Sequence, residues 1–192
     1  MKQLFMLGVL ASIVLAGCIP SLHPLYTDKD VVYDANLIGV WKGDPNKPDA
    51  WIFKQEGKDH YELTVIDEKN KSGNFETYLC KIDGQMFLDI FPGDPNLCQN
   101  DFYKAYLLPC HGFIKVNQVL GQLKLQMTNP DKFGDKLKED PNMIKWEKAG
   151  DRIVLTASTQ QLQEFMRKNA QKDWLFGDET KLSRVSDDPN KL

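Results

Sequence analysis

Phe75-Glu76-Thr77-Tyr78-Leu79-Cys80-Lys81-Ile82-Asp83-Gly84-Gln85-Met86-Phe87-Leu88-Asp89-Ile90-Phe91 reads as two strands joined by a tight turn. Asp83-Gly84 accepts positive φ at both central positions of a two-residue primed turn, whose twist matches that of the strands it joins. Such a turn sets the register and puts Leu79 opposite Leu88. Phe75, Leu79, Met86, Leu88 and Ile90 then share one face, assigned to the interior. Tyr78, Cys80, Ile82, Phe87 and Phe91 share the other, which is too apolar to meet water bare. A cover over the outside of this hairpin is therefore expected, or a bulge that breaks the alternation.

Outward from the hairpin, short alternating or apolar runs recur between turn residues, at 37–42, 50–55, 60–66, 74–82, 85–91, 111–117, 122–128, 152–156 and 180–185. About nine strands at this spacing predict a mainly β fold, an antiparallel barrel or strongly curved sheet. A weaker run at 143–147 is placed to pair with 152–156 through Lys148-Ala149-Gly150-Asp151. The cover is predicted as a C-terminal helix packed outside: Ser158 and Gln161 form a capping-box pair, and Leu162, Phe165, Met166 and Ala170 fall on one stripe. A second, short helix is predicted from Asn129 as N-cap and Pro130 at N1 to Glu139, stopped by Pro141, with Phe133 and Leu137 inward.

The whole chain of 192 residues carries 24 Lys plus Arg against 27 Asp plus Glu, enough for one domain and without the clustered basic face of a nucleic-acid binder. Its start differs from the rest. After Lys2 an apolar run from Leu4 to Ala16, broken only by Gly8 and Ser12, ends in Leu15-Ala16-Gly17-Cys18. The run is too short for a permanent span, which needs about 20 residues, and has the pattern of a secretory signal. The four-residue end resembles the lipobox of bacterial lipoproteins. The resemblance implies cleavage before Cys18, diacylglycerol on its thiol, and often an acyl chain such as palmitate on its new amino terminus. Two or three chains anchor a protein durably, where one is marginal. Removal of 1–17 takes only one charge, Lys2, and leaves 23 cations against 27 acids, a balance of −4. Residues 18–34, with Pro20 and Pro24, read as a lipidated tether that holds a body spanning 35–192 off the headgroups. Ile19 after the cysteine, instead of the Asp that typically retains such proteins in the inner membrane, points to the outer membrane, facing the periplasm, in a Gram-negative source.

Eight strands, a helix and a final strand is the order of a lipocalin, and Gly39-Val40-Trp41 resembles that family's Gly-x-Trp motif. The resemblance implies a tryptophan that plugs the closed end of a barrel, with an arginine over its ring, supplied here by Arg184 or by Arg152. The stretches Ser21-Leu22-His23-Pro24-Leu25-Tyr26 and Leu155-Thr156-Ala157-Ser158-Thr159 also resemble a group of small bacterial lipoproteins without assigned activity, and Trp41 reads equally as a plain core aromatic.

With Cys18 lipidated, an oxidising compartment favours one disulfide among the other three cysteines. Cys98 with Cys110 closes the shortest loop and is preferred; Cys80 with Cys110 is the rival. Adjacent Cys110 and His111 point to opposite faces of a strand and no oxyanion-hole signature accompanies them, so catalysis is not expected. His23, His60 and His111 are isolated and no short-range ligand pair suggests a metal. No nucleotide loop or other cofactor motif is present. Asp89 falls between Phe87 and Phe91, which would raise its pKa; the preferred expectation is that it meets a lysine of the next strand.

The first functional expectation is therefore a non-catalytic binding module, whose mouth, lined by some of Phe75, Met86, Leu88, Ile90, Ile114, Leu123, Leu125 and Met127, holds a small apolar ligand. The alternative is that these side chains fill the barrel, and an exposed aromatic patch among Tyr103, Tyr106, Trp146 and Trp174 docks on another envelope protein.

Overall fold

The computed structural model describes residues 18–93 and 106–191. Eight antiparallel strands close into a barrel: β1 (Gly39–Lys42), β2 (Ala50–Glu56), β3 (His60–Ile66), β4 (Ser72–Ile82), β5 (Gln85–Pro92), β6 (Gly112–Gln118), β7 (Gln122–Met127) and β10 (Thr180–Ser186). The first seven form a meander, and β10 seals the gap between β7 and β1. Between β7 and β10 the chain makes α1 (Pro130–Glu139), the two-stranded ribbon β8 (Trp146–Ala149) and β9 (Arg152–Leu155), and α2 (Thr159–Asn169).

The founding hairpin has the expected register. Leu79 faces Leu88 and Ile82 faces Gln85, and the turn has φ of 49° at Asp83 and 84° at Gly84. Both helix starts are also as read: Asn129 accepts from the Lys132 amide with Pro130 following, and Ser158 and Gln161 form a reciprocal capping box. Two expectations on the fold are corrected. The run at 152–156 is not a barrel strand: it pairs, as expected, with the run before it, β9 with β8 through the turn at Gly150, in a sheet separate from the barrel. The cover is not one helix but two plus this ribbon. Cys80, Ile82, Phe87 and Phe113 on the outer wall pack with Phe133 and Leu137 of α1, Leu155 of β9 and Leu162, Phe165 and Met166 of α2. The doubly apolar hairpin is thus sandwiched between two cores, one inside the barrel and one outside it.

Lys115 ties the layers together. It projects outward from β6, is 7% exposed, and donates to the Ala170 carbonyl at the C-cap of α2 at 2.9 Å and to Gln171 at 3.1 Å. A cation at a helix C-terminus is favourable, whereas burial pulls its pKa down. Lys115→Met is expected to fray the last turn of α2, seen as faster hydrogen exchange at Met166 to Ala170 with β6 unaffected.

The barrel has two distinct ends. One carries the turns at 57–59, 83–84 and 119–121 and the 3-10 turn Ala35–Leu37; the other, the mouth, carries the connections that leave β1, β3, β5 and β7. The stretch read as a tether is folded against the barrel. Ile19, Ser21 and Leu25 are buried, Ser21 bridges both His111 and Leu155, and Val31 bridges Cys80. Residues 18–34 form a strap that starts at the mouth, descends the outer wall and enters β1 at the opposite end. Pro20 and Pro24 lack an amide to donate but are compatible with extended chain, and Ile19 and Leu25 bury their side chains in the outer core.

Candidate functional site: barrel interior, mouth and strap

The expected ligand-lining residues divide by depth. Leu88, Ile114 and Leu123 are 0% exposed and Leu125 is 1% exposed, as are Trp41, Phe53, Tyr61, Leu63 and Leu79 around them, at 0%. A side chain with no accessible surface touches no water-sized void, so this level of the barrel is packed solid. Met86 is half-buried toward the turn end, opposite Lys81 and Val116. Phe75, Ile90 and Met127 are half-buried at the mouth. The eight residues therefore do not line one chamber: a filled middle separates Met86 from the other three half-buried side chains.

The turn end is shut by Trp41. Its Nε1–H donates to the Leu37 carbonyl at 2.8 Å, and the Arg184 guanidinium lies 4.5 Å from its ring centroid. Arg184 also donates to the carbonyls of Ile38, at 3.0 Å, and Asn36, and to Asp187 at 2.8 Å. Arg184 thus clamps the 3-10 turn onto the indole. Arg152 is exposed on β9, away from this end.

At the mouth, Cys18 has its Sγ 4.0 Å from Met127 Sδ, and a Cβ placed on Gly112, opposite Ile90, would lie 3.9 Å from the Cys18 Cβ. A groove of about 510 Å³ opens beside it, lined by Ile19, Pro20, Pro130, Asp131 and Arg152 among others. The Ile19 amide donates to Thr128 Oγ1 at 3.0 Å.

Asp89 fixes the strap to the wall. It is 1% exposed; one carboxylate oxygen accepts the Leu25 amide at 2.7 Å and the other meets His111 Nδ1 at 2.7 Å. The expected lysine partner is corrected to His111. Lys115, the lysine of the next strand, turns to α2 instead, and the His111 ring packs on Phe91 at 4.6 Å. Burial pushes the Asp89 carboxyl up, and the hydrogen bonds from His111 and Leu25 pull against it. Further along the strap, Tyr26 stacks on Tyr78 at 4.4 Å and Gln163 of α2 donates to Leu25 O at 3.0 Å and Asp30 at 2.8 Å. The sequence signal for this contact was an acid on an apolar face with histidine two residues before its cross-strand partner Phe113.

The cysteines are placed as follows. Cys18, Cys80 and Cys110 are free thiols; Cys98, the preferred partner of Cys110, lies outside the described residues, as does Tyr103. Cys110 Sγ is directed at the Leu108 carbonyl, whereas the His111 ring is engaged by Asp89. Burial pushes the Cys80 thiol up strongly. In reduced native protein, maleimide is expected to modify Cys110 and leave Cys80 intact until unfolding, as read by peptide mass mapping; early labelling of Cys80 would contradict its cover. Among the described residues no group of three or more His, Cys, Asp or Glu could hold a metal, and no described helix is long and apolar enough to cross a membrane. Trp146 and Trp174 are half-buried against the outer core, whereas Tyr106 is 75% exposed. Comparison with protein-family models, with curated proteins and with solved structures gave no match.

Proposed function

We propose that this chain is a lipid-anchored cell-envelope lipoprotein, non-catalytic, whose filled lipocalin-like barrel works through its outer surface as a structural or assembly subunit docked on another envelope protein. The observation that carries this reading is the sealed interior: a chamber for a lipid-sized ligand requires accessible lining, and Leu79, Leu88, Ile114 and Leu123 are 0% exposed. The address rests on the lipobox-like Leu15-Ala16-Gly17-Cys18, and in a Gram-negative source Ile19 favours the outer membrane, facing the periplasm. The lipocalin likeness draws on Gly39-Val40-Trp41 beneath Arg184.

A second reading, a small apolar ligand held without bond making, is favoured by the half-buried Phe75, Ile90 and Met127 at the mouth. It places the ligand at the rim, above the packed level.

Two measurements test the proposal. Intact mass of detergent-extracted protein is expected to show loss of residues 1–17 and acyl mass on Cys18; a retained Met1 or an unmodified Cys18 would defeat the address. Photo-crosslinkers introduced at exposed Leu120 and Val185 are expected to capture one discrete envelope protein from at least one position. Free protein at both, together with a co-purifying apolar molecule, would shift the function to the second reading.

A further inference from the structure

We propose that the mouth end of the barrel is the face this protein lays on its own membrane, and that Tyr106-Leu107-Leu108 makes a second, apolar contact with that bilayer. The inference rests on lipidation of Cys18 as put forward above. Cys18, the residue that follows the lipobox-like cut, stands at the mouth, with its Sγ 4.0 Å from Met127 Sδ. From there the chain has no slack. The Ile19 amide is held by Thr128, Ser21 and His111 exchange two backbone hydrogen bonds at 2.9 and 2.8 Å, and the Leu25 amide is held by Asp89. A sulfur that carries diacylglycerol is thereby fixed to a rigid body instead of trailing on a spacer. Beneath it Leu88, Ile114 and Leu125 fill the barrel, so the acyl chains must leave outward, past the mouth.

The same end presents the apolar contact. Tyr106 is 75% exposed, Leu107 38% and Leu108 73%, and three consecutive exposed apolar side chains on a globular body mark a surface that meets something apolar. Leu108 precedes His111 by three residues, and His111 pairs with Ser21, itself three residues after Cys18. Leu108 also stands four residues before Gly112, where an added Cβ would lie 3.9 Å from the Cys18 Cβ, and four residues at about 3.4 Å each put the turn within about 20 Å of the anchor. Leu120, 68% exposed on the turn after β6, sits at the opposite end. A strand of seven residues separates the two ends by about 20 Å, which puts Leu120 beyond the acyl chains.

The test uses full-length lipidated protein with Cys98→Ser and Cys110→Ser, and either Leu108→Cys or Leu120→Cys labelled with an environment-sensitive fluorophore. Circular dichroism and melting of each labelled form check that it is folded. The protein is reconstituted on vesicles of phosphatidylethanolamine and phosphatidylglycerol that contain doxyl-labelled lipid. Flotation with the vesicles reads the anchor; quenching reads the orientation. The expected result is flotation of both forms, with the label at 108 quenched about twofold and blue-shifted and the label at 120 unchanged. Flotation with equal quenching at both sites, stronger quenching at 120, or quenching at neither overturns the proposed face while leaving the lipid anchor standing. Failure to float overturns the anchor and the face together.

Discussion

Asp89→Ala is expected to lower stability by about 3–5 kcal/mol, the range for removal of one partner from a buried polar pair, because it strands the Leu25 amide and the His111 ring without an acceptor. Both partners lie within 2.7 Å of the carboxylate, which is 1% exposed. Asp89→Asn keeps one acceptor and is expected to lose about half as much. The loss has a location: amide exchange should accelerate first at Ser21 and Leu25, since the strap comes off the wall before the barrel opens. It also has a pH dependence. Burial raises the Asp89 pKa in the folded protein, and an acid raised on folding binds its proton more tightly folded than unfolded. Its titration therefore contributes stability fully below the ordinary Asp value and loses it as pH rises through the raised one. The gap between the native protein and Asp89→Asn should narrow as pH rises from about 4. Urea denaturation at several pH values measures this; a gap that widens with pH would show that the carboxylate is favoured on folding and contradict the direction.

Trp41→Ala is expected to cost about 3–5 kcal/mol, the range for removing a large aromatic from a close-packed core. At about 2–4 °C per kcal/mol for a chain of this size, that is a fall in melting temperature of roughly 6–20 °C. The indole is 0% exposed and holds the Leu37 carbonyl at one edge and Arg184 over its face. Arg184→Ala should cost less, about 1–2 kcal/mol, since it removes a cation–π contact and backbone hydrogen bonds at a partly exposed site but opens no cavity. The double variant should fall short of the sum, because Arg184 loses part of its purpose once the ring is gone. Additivity would mean that the clamp and the ring act independently.

What the sequence made legible was local. Asp83-Gly84 dictated one register, and every face assignment in β4 and β5 followed from it. Asn129-Pro130 and Ser158 with Gln161 wrote the starts of both helices, because capping groups lie within three residues of the amides they satisfy. Partner choice over long range was not legible. The short return of 152–156 onto the run before it was legible through Lys148-Ala149-Gly150-Asp151, whereas nothing within 180–185 says that this run closes the barrel between β7 and β1. The strap was hidden by its own prolines: buried Ile19 and Leu25 and half-buried Val31 are spaced by six residues, too sparse for any period, so their packing shows only against the wall they cover. Asp89 illustrates the same limit at one residue. Both His111 and Lys115 are diagonal neighbours on the same face of β6, and the choice of His111 depends on α2 arriving to take the lysine.

Whether the barrel is filled or hollow was equally beyond periodicity, since identical alternation serves both. The sealed level from Trp41 to Leu125 is what favours a protein that acts through its surface and its anchor. Native mass spectrometry of the Cys18→Ser chain from residue 18 onward, offered a mixture of fatty acids, lysolipids and isoprenoids, tests that claim most directly. A clean unliganded mass with no stoichiometric uptake is expected; a one-to-one apolar adduct that survives gentle desolvation would make this protein a ligand carrier instead.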